Sequence, residues 1–201
     1  MQPSRPAPPG FAALAAAFPS HLAESVARVH ALMPEASGPP SESFSVVVRG
    51  ETLAIPYRIY HPEPDPAAER ALPRTERTVL DCLYSRHHNG RVRERRISGV
   101  LTADEPWAVP FVVRLLGEYV VEIVAAIRRE LPGPTASQAA RRALYGEFIA
   151  ANPDFRARTE QQMVSYWACY YRHEYPAFAD YPGAAPAALL RDAAAEWKGR
   201  T

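Results

Sequence analysis

The fold of this chain is decided by residues 75–131, which read TERTVLDCLYSRHHNG, then RVRERRISGVL, then TADEPWAVPFVVRLLGEYVVEIVAAIRREL. The first segment has the apolar periodicity of an amphipathic helix that ends at Asn89-Gly90, and the second predicts a basic helix over 91–101. Residues 111–131 are apolar around most of the circumference, which is typical of a buried central helix. The sequence therefore predicts a mainly α fold built from antiparallel helix pairs.

A single β-hairpin is predicted at about 44–60. Apolar and polar residues alternate on both sides of Gly50-Glu51, which we expect to form the turn. A lone two-stranded sheet is marginal in water, so this hairpin should lie against the helices.

Two proline-rich segments indicate how the chain is divided. Residues 1–10, MQPSRPAPPG, have the composition of a disordered tail. Residues 11–201 then form one mainly helical domain. Within it, Pro132-Gly133-Pro134 (132–134) is the best candidate for an internal boundary.

Composition and charge exclude several classes of protein. Hydrophobic residues make up 47% of the chain, which is too many for a disordered protein, and the net charge of +1 gives no overall attraction to nucleic acid. No apolar run reaches transmembrane length, and two distant cysteines do not form a disulfide framework. We therefore expect a cytoplasmic protein that does not associate with membranes.

Residues 89–131 resemble part of a known repeat family. The run Asn89-Gly90-Arg91-Val92-Arg93-Glu94 resembles the turn inside HEAT-type helical repeats, where a polar turn is followed by Val-Arg at the start of the second helix. Arg95-Arg96 stand where that family has a small residue. The resemblance implies HEAT-like stacked helix pairs and a scaffold that binds partners rather than an enzyme. An irregular bundle of the same helix pairs is the alternative.

The overall composition has a resemblance of its own. Ala, Pro and Arg are abundant, and only one of the 23 basic residues is Lys. This composition is similar to that of uncharacterised proteins from GC-rich bacteria, which implies an origin and no activity.

Positive charge is concentrated in residues 71–100, which hold seven arginines and three acidic residues, a balance of +4. These arginines indicate either a phosphate-contacting face or a solvated helix that pairs with acidic neighbours. We expect that Arg91, Arg93 and Arg95 are not all used in internal ion pairs. The candidate partner-binding residues of this helix are Arg91, Arg93, Arg95 and Arg96.

Glu118 and Glu122 lie one helical turn apart in the apolar segment 111–131. Two carboxylates in such surroundings could be the acid–base pair of an unrecognised enzyme, or structural ion pairs with arginines such as Arg114. No catalytic motif is present, and the histidine and cysteine spacings match no metal site. We therefore assign no catalytic residue, metal or cofactor.

The C-terminal part of the chain is rich in aromatic residues. Their periodicity predicts that Tyr166, Trp167, Tyr170 and Tyr171 face the core from one side of a helix. Prolines should force the following segment into a loop whose aromatic side chains line an exposed edge. The candidate partner-binding residues of that edge are Arg172, Tyr175, Phe178 and Tyr181.

Together these patterns favour a non-enzymatic protein-interaction or accessory module, whose partner is another protein. The first alternative is a nucleic-acid-binding regulator that uses the basic helix 91–101. The second alternative is an unrecognised enzyme with Glu118 or Glu122 in its site.

Overall fold

The computed structural model describes residues 10–200, so the predicted disordered tail lies outside the described residues except for Gly10. The described chain contains ten α-helices and one β-hairpin, which confirms the predicted mainly α class with one hairpin. The helices are α1 (Phe11–Ala15), α2 (Ala23–Leu32), α3 (Pro66–Arg70), α4 (Arg74–Tyr84), α5 (Gly90–Leu101), α6 (Val109–Leu115), α7 (Val121–Glu130), α8 (Ala139–Ala151), α9 (Pro153–Tyr166) and α10 (Ala184–Lys198). The strands are β1 (Ser43–Val48) and β2 (Glu51–Pro56).

The hairpin is antiparallel and in regular register, with Val48 opposite Glu51. Its turn is Arg49-Gly50, so the predicted turn at Gly50-Glu51 is wrong by one residue. Arg49 and Gly50 have positive φ angles of 47° and 84°. Two successive left-handed residues match the twist of the strands in a two-residue hairpin.

One face of the hairpin packs on the helices and the other faces solvent. Ser43, Ser45 and Val47 are exposed. The outer edge of β2 meets the end of α1, where the Ala54 N–H donates to the Ala16 carbonyl oxygen (2.8 Å). The side chains that fix the hairpin to the core are Phe44, Val46, Val48, Leu53 and Ile55.

The segment predicted as one helix over 111–131 is two helices, α6 and α7, separated by residues 116–120. Every residue of α6 is buried, which confirms that this part of the segment forms the centre of the core. The prediction of a continuous helix is wrong because the apolar pattern continues through the break. Periodicity alone cannot distinguish a buried turn from a buried helix.

The break between α6 and α7 is a tight turn. Three successive N–H groups bond to the carbonyl oxygen three residues before them, as at the end of many helices. At Gly117 a Cβ would lie 3.1 Å from Arg114 Nη1 and 3.3 Å from the Thr159 carbonyl oxygen, so a larger residue would have to displace its neighbours. Glu118 follows within the turn and is buried, while Glu122 is exposed on α7.

The predicted pair of an amphipathic and a basic helix corresponds to α4 and α5. The predicted helix stop at Asn89-Gly90 is the start of α5: Asn89 is its N-cap and Gly90 its first residue. The side-chain oxygen of Asn89 accepts a hydrogen bond from the Arg91 N–H (3.0 Å). This bond satisfies a donor of the first turn that has no partner within the helix.

α8 and α10 make the most extensive helix–helix contact of the described chain. Their backbones come so close at Gly146 that a Cβ on this residue would lie only 2.4 Å from the Ala193 carbonyl oxygen. The absence of a side chain at Gly146 permits this approach. Residues 132–134, the predicted internal boundary, lie in the loop between α7 and α8, and α8 also packs on β1 and α6. Within residues 10–200 no helix combines the length and apolar character that a bilayer crossing requires.

Candidate functional site

A groove with a volume of about 510 Å³ lies along the outer edge of β1. Residues 43–47 form one wall, and residues within 151–162, around the start of α9, form the other. Tyr57 and Arg114 also line it. We call this feature the strand-edge groove.

The outer edge of β1 is only partly occupied. At Val47 the Asn152 side-chain amide takes the place of a neighbouring strand: the Val47 N–H donates to Asn152 Oδ1 (2.7 Å), and Asn152 Nδ2 donates to the Val47 carbonyl oxygen (2.8 Å). Because backbone groups alternate in direction along an antiparallel strand, those of Ser45 and Ser43 face the same edge. Within residues 10–200 these groups have no hydrogen-bond partner.

Asn152 is held in this position by the junction of α8 and α9. It follows the last residue of α8 and precedes Pro153, which starts α9 as proline commonly does. Its Nδ2 also donates to the Phe148 carbonyl oxygen (2.8 Å), and the residue is 7% exposed. The amide therefore ties β1 to the helices while it occupies one end of the strand edge.

We expect Asn152→Ala to lower the free energy of unfolding by about 1–2 kcal/mol. Three hydrogen bonds are lost, but the freed backbone groups of Val47 can reach water. Urea denaturation measures the change, and Ser45→Ala on the same edge is the control. If both variants unfold like the wild type, the amide does not secure β1 to the helices.

Arg114 is a buried charged residue that lines the strand-edge groove. Its side chain is 9% exposed, and its guanidinium lies 5.8 Å from the centre of the Phe44 ring and 5.0 Å from that of Tyr57. Nη2 donates to Gln162 Oε1 (2.5 Å), while the buried Nε has no partner in the described chain. Burial lowers the pKa of Arg114.

Close to Arg114, the buried Glu118 is the partner of three further arginines. Its carboxylate lies 3.1 Å from Arg58, 3.5 Å from Arg86 and 2.9 Å from Arg93. The side chains of Arg86 and Arg93 have no exposed surface, and that of Glu118 is 3% exposed. Burial lowers the pKa of Arg86 to about 9; Glu118 opposes this shift and the other arginines add to it. We call Arg58, Arg86, Arg93, Arg114 and Glu118 the arginine cluster.

Distant parts of the chain bring the arginine cluster together. After β2 the chain runs beside the end of α4, where the Ile59 N–H donates to the Arg86 carbonyl oxygen (2.9 Å) and the His88 N–H donates to that of Ile59 (3.1 Å). Arg58 and Arg86 thus become neighbours. Arg93, one turn into α5, also donates to the His88 carbonyl oxygen (3.0 Å).

The predicted partner-binding arginines of α5 do not form one exposed face. Arg93 is buried in the arginine cluster, and Arg96 is nearly buried and pairs with three carboxylates. Arg95 is exposed and pairs with Glu63. Arg91 is exposed and has no ion pair in the described chain. Of the three arginines expected not to be all paired internally, Arg93 and Arg95 are paired and Arg91 is not. The partners of Arg96 are Glu63, Glu69 and Asp81.

The C-terminal aromatic residues depart from the prediction in several places. Tyr166, Trp167 and Tyr171, expected in the core, are only half-buried, and two other residues differ more. α9 continues into a π-helical turn, Trp167–Tyr171, whose wider winding changes which side chains face the core. Tyr170, expected in the core, is 60% exposed. Tyr181, expected on an exposed edge, is fully buried, and burial raises its pKa to about 12. Its ring neighbours are Tyr171, Tyr175 and Phe178.

The rest of the predicted aromatic edge is only partly open. Tyr175 and Phe178 are half-buried. Arg172 is exposed, and its guanidinium lies over the Trp167 ring, 5.5 Å from its centre. Tyr175 and Phe178 pack against the ring of the buried Tyr181, whereas Arg172 contacts Trp167.

Glu118 and Glu122 are not arranged as an acid–base pair. Both oxygens of Glu118 contact arginines, and Glu122 is exposed. In the described part of the chain no three His, Cys, Asp or Glu side chains come together as a metal site requires. Another cavity, of about 520 Å³, is lined by Gly10, His30, His61 and residues within 33–40. Burial lowers the pKa of His30.

Three residues of the strand-edge groove were not among the candidates predicted from the sequence: Arg114 as a groove residue, Asn152 and Arg158. Asn152-Pro153 is a recognisable helix boundary, but the hydrogen bonds of Asn152 to Val47 span 105 residues, so no local pattern indicates them.

Comparisons of the chain with models of protein families, with curated proteins and with solved structures find no match.

Proposed function

We propose that this chain is a non-enzymatic protein-interaction module that binds an extended segment of another protein as a third strand beside β1. The observation that carries the proposal is the amide of Asn152. It pairs with Val47 as the backbone of an added strand would, next to the unpaired Ser45 and Ser43. Strand addition to an exposed sheet edge is a common mode of peptide binding, because main-chain hydrogen bonds supply affinity and neighbouring pockets supply selectivity.

Other features support a strand-edge site over the two alternative functions. A nucleic-acid face on α5 would depend on Arg91 and Arg95, because Arg93 and Arg96 are held by internal carboxylates, and such faces usually have a broader basic surface. An enzyme site at Glu118 would need a free carboxylate, whereas arginines surround this one. Arg172, Tyr175 and Phe178 stay candidates for a secondary contact.

The decisive test uses a proline at the strand edge. Peptides are selected from a random display library on the wild-type chain, and their dissociation constants are measured by fluorescence anisotropy. Ser45→Pro removes an N–H that faces the groove and is not part of the β1–β2 ladder, a position where an edge strand tolerates proline. We expect it to weaken binding about tenfold or more. Ser45→Ala keeps the N–H and should bind like the wild type.

Amide hydrogen exchange gives a second readout of the same site. Binding of a selected peptide should slow exchange at Ser45, whose N–H faces the groove. It should change Val46 little, because the Val46 N–H faces β2 and is already paired. Equal affinity of Ser45→Pro and the wild type, with unchanged exchange at Ser45, would rule out strand addition at β1.

A further inference from the structure

The strand-edge groove has an excess of positive charge. The charged residues that line it are Arg114 and Arg158, which are positive, and Asp154, which is negative. Glu118 contacts three other arginines rather than Arg114. In the described chain Arg114 forms no ion pair, and its polar partner is the neutral amide of Gln162. Glu118 acts on Arg114 without touching it and shares its charge among three other arginines. A buried cation without a direct ion pair is unfavourable, so an anion that reaches this position would be stabilised.

Polar residues of α9 line the groove on the side of Gln162, the hydrogen-bond partner of Arg114. Arg158 is exposed and lies one helical turn before Gln162, so both project from the same face of α9. The hydroxyl of Thr159, a residue that is 2% exposed, has no hydrogen-bond partner in the described chain. All four residues line the groove.

The groove also contains a negative charge, and this limits where an anion can lie. Asp154 lines the groove in the first turn of α9, eight residues before Gln162. Eight residues correspond to about 12 Å along a helix. A carboxylate at the Asp154 end would be repelled, and one at the Gln162 end would lie between Arg158 and Arg114. The charge pattern therefore selects one end.

We infer that the segment bound in the strand-edge groove carries a carboxylate, which lies between Arg158 and Arg114 beside Gln162. The inference rests on the proposed strand addition and specifies the chemistry of the partner. A guanidinium binds a planar carboxylate through paired N–H groups, which gives geometric selectivity as well as attraction. The carboxylate belongs either to an Asp or Glu side chain or to the end of the partner chain.

The test pairs changes in the peptide with a change in the protein. The probe is the tightest peptide from the display selection, made in three forms: unchanged, with its acidic side chains replaced by amides, and with its C-terminal carboxyl amidated. We expect one of the two modified peptides to bind the wild-type protein about tenfold or more weakly than the unchanged peptide. The form that loses affinity shows whether the carboxylate belongs to a side chain or to the C-terminus. The attraction should also weaken as salt concentration rises.

Arg158→Gln removes the exposed charge without touching the buried cluster. It should weaken binding of the unchanged peptide and abolish the preference for acid over amide. Arg91→Gln is the matched control and should leave both affinities unchanged. Arg91 is an exposed residue of α5 that has no ion pair in the described chain and does not line the groove. Urea denaturation of both variants confirms that the fold is intact.

The outcomes separate this inference from the proposed function. If all three peptide forms bind equally while Ser45→Pro still weakens binding, strand addition stands and carboxylate recognition is wrong. If Ser45→Pro has no effect, strand addition itself is wrong. If Arg91→Gln rather than Arg158→Gln removes the acid preference, the carboxylate binds α5, and the placement in the groove is overturned.

Discussion

Glu118→Ala should lower the free energy of unfolding by about 3–5 kcal/mol, because it leaves buried arginines without their counterion. Arg86 and Arg93 have no exposed side-chain surface, and Glu118 is the carboxylate with which they pair. Neither guanidinium can reach water without opening the junction of α4 and α5. The loss should appear as a lower midpoint of urea denaturation with little change in slope.

Two variants show whether charge or volume is responsible. Glu118→Gln keeps the shape and a hydrogen-bond acceptor but removes the charge, so we expect it to be destabilised, although less than Glu118→Ala. Glu122→Ala removes an exposed carboxylate four residues further along the sequence, on α7, and should change stability by no more than about 0.5 kcal/mol. Similar stability of Glu118→Ala and Glu122→Ala would show that the arginine cluster does not depend on Glu118.

Gly146→Ala should also destabilise the chain, by about 2 kcal/mol or more, even though alanine is the better helix former. The gain in helix propensity is at most about 1 kcal/mol. Against it, the new methyl group would lie 2.4 Å from the Ala193 carbonyl oxygen and 3.2 Å from Trp197 Cβ. The first of these is backbone, so α8 and α10 would have to move apart.

Thermal and urea denaturation measure this effect, and Gly199→Ala is its control. Gly199 follows α10 in a helical conformation, and a Cβ there would have only ordinary contacts of 3.7 Å. We expect that variant to equal or slightly exceed the wild type in stability. If Gly146→Ala were stabilising too, the close approach of α8 and α10 would not be needed for packing.

Elements whose stabilising contacts are local in sequence could be predicted. The alternation in 44–60 gives the hairpin, and the apolar periodicity before Asn89 gives α4, because each pattern reports the face that the element buries. The apolar composition of 111–131 correctly identifies the centre of the core in α6. The HEAT-type resemblance stays a prediction.

Features that depend on contacts between distant residues could not be predicted. The break after α6 places Glu118 among Arg58, Arg86 and Arg93, which come from other parts of the chain. The exposed Tyr170 lies in a π-helical turn, whose extra residue a regular helical period does not predict.

The amide of Asn152 would fix the register of a segment that binds beside β1. Since Val47 is already paired, an incoming chain can pair with Ser45 and Ser43 but must stop or turn away at Val47. The amide thus sets the point at which the added strand must end, and so determines which residues of the partner lie opposite Ser45 and Ser43. Shifting the partner by one residue against such a stop would turn each of its side chains to the opposite face of the sheet. One side-chain amide would therefore allow a short edge of two residues to discriminate between sequences of identical composition.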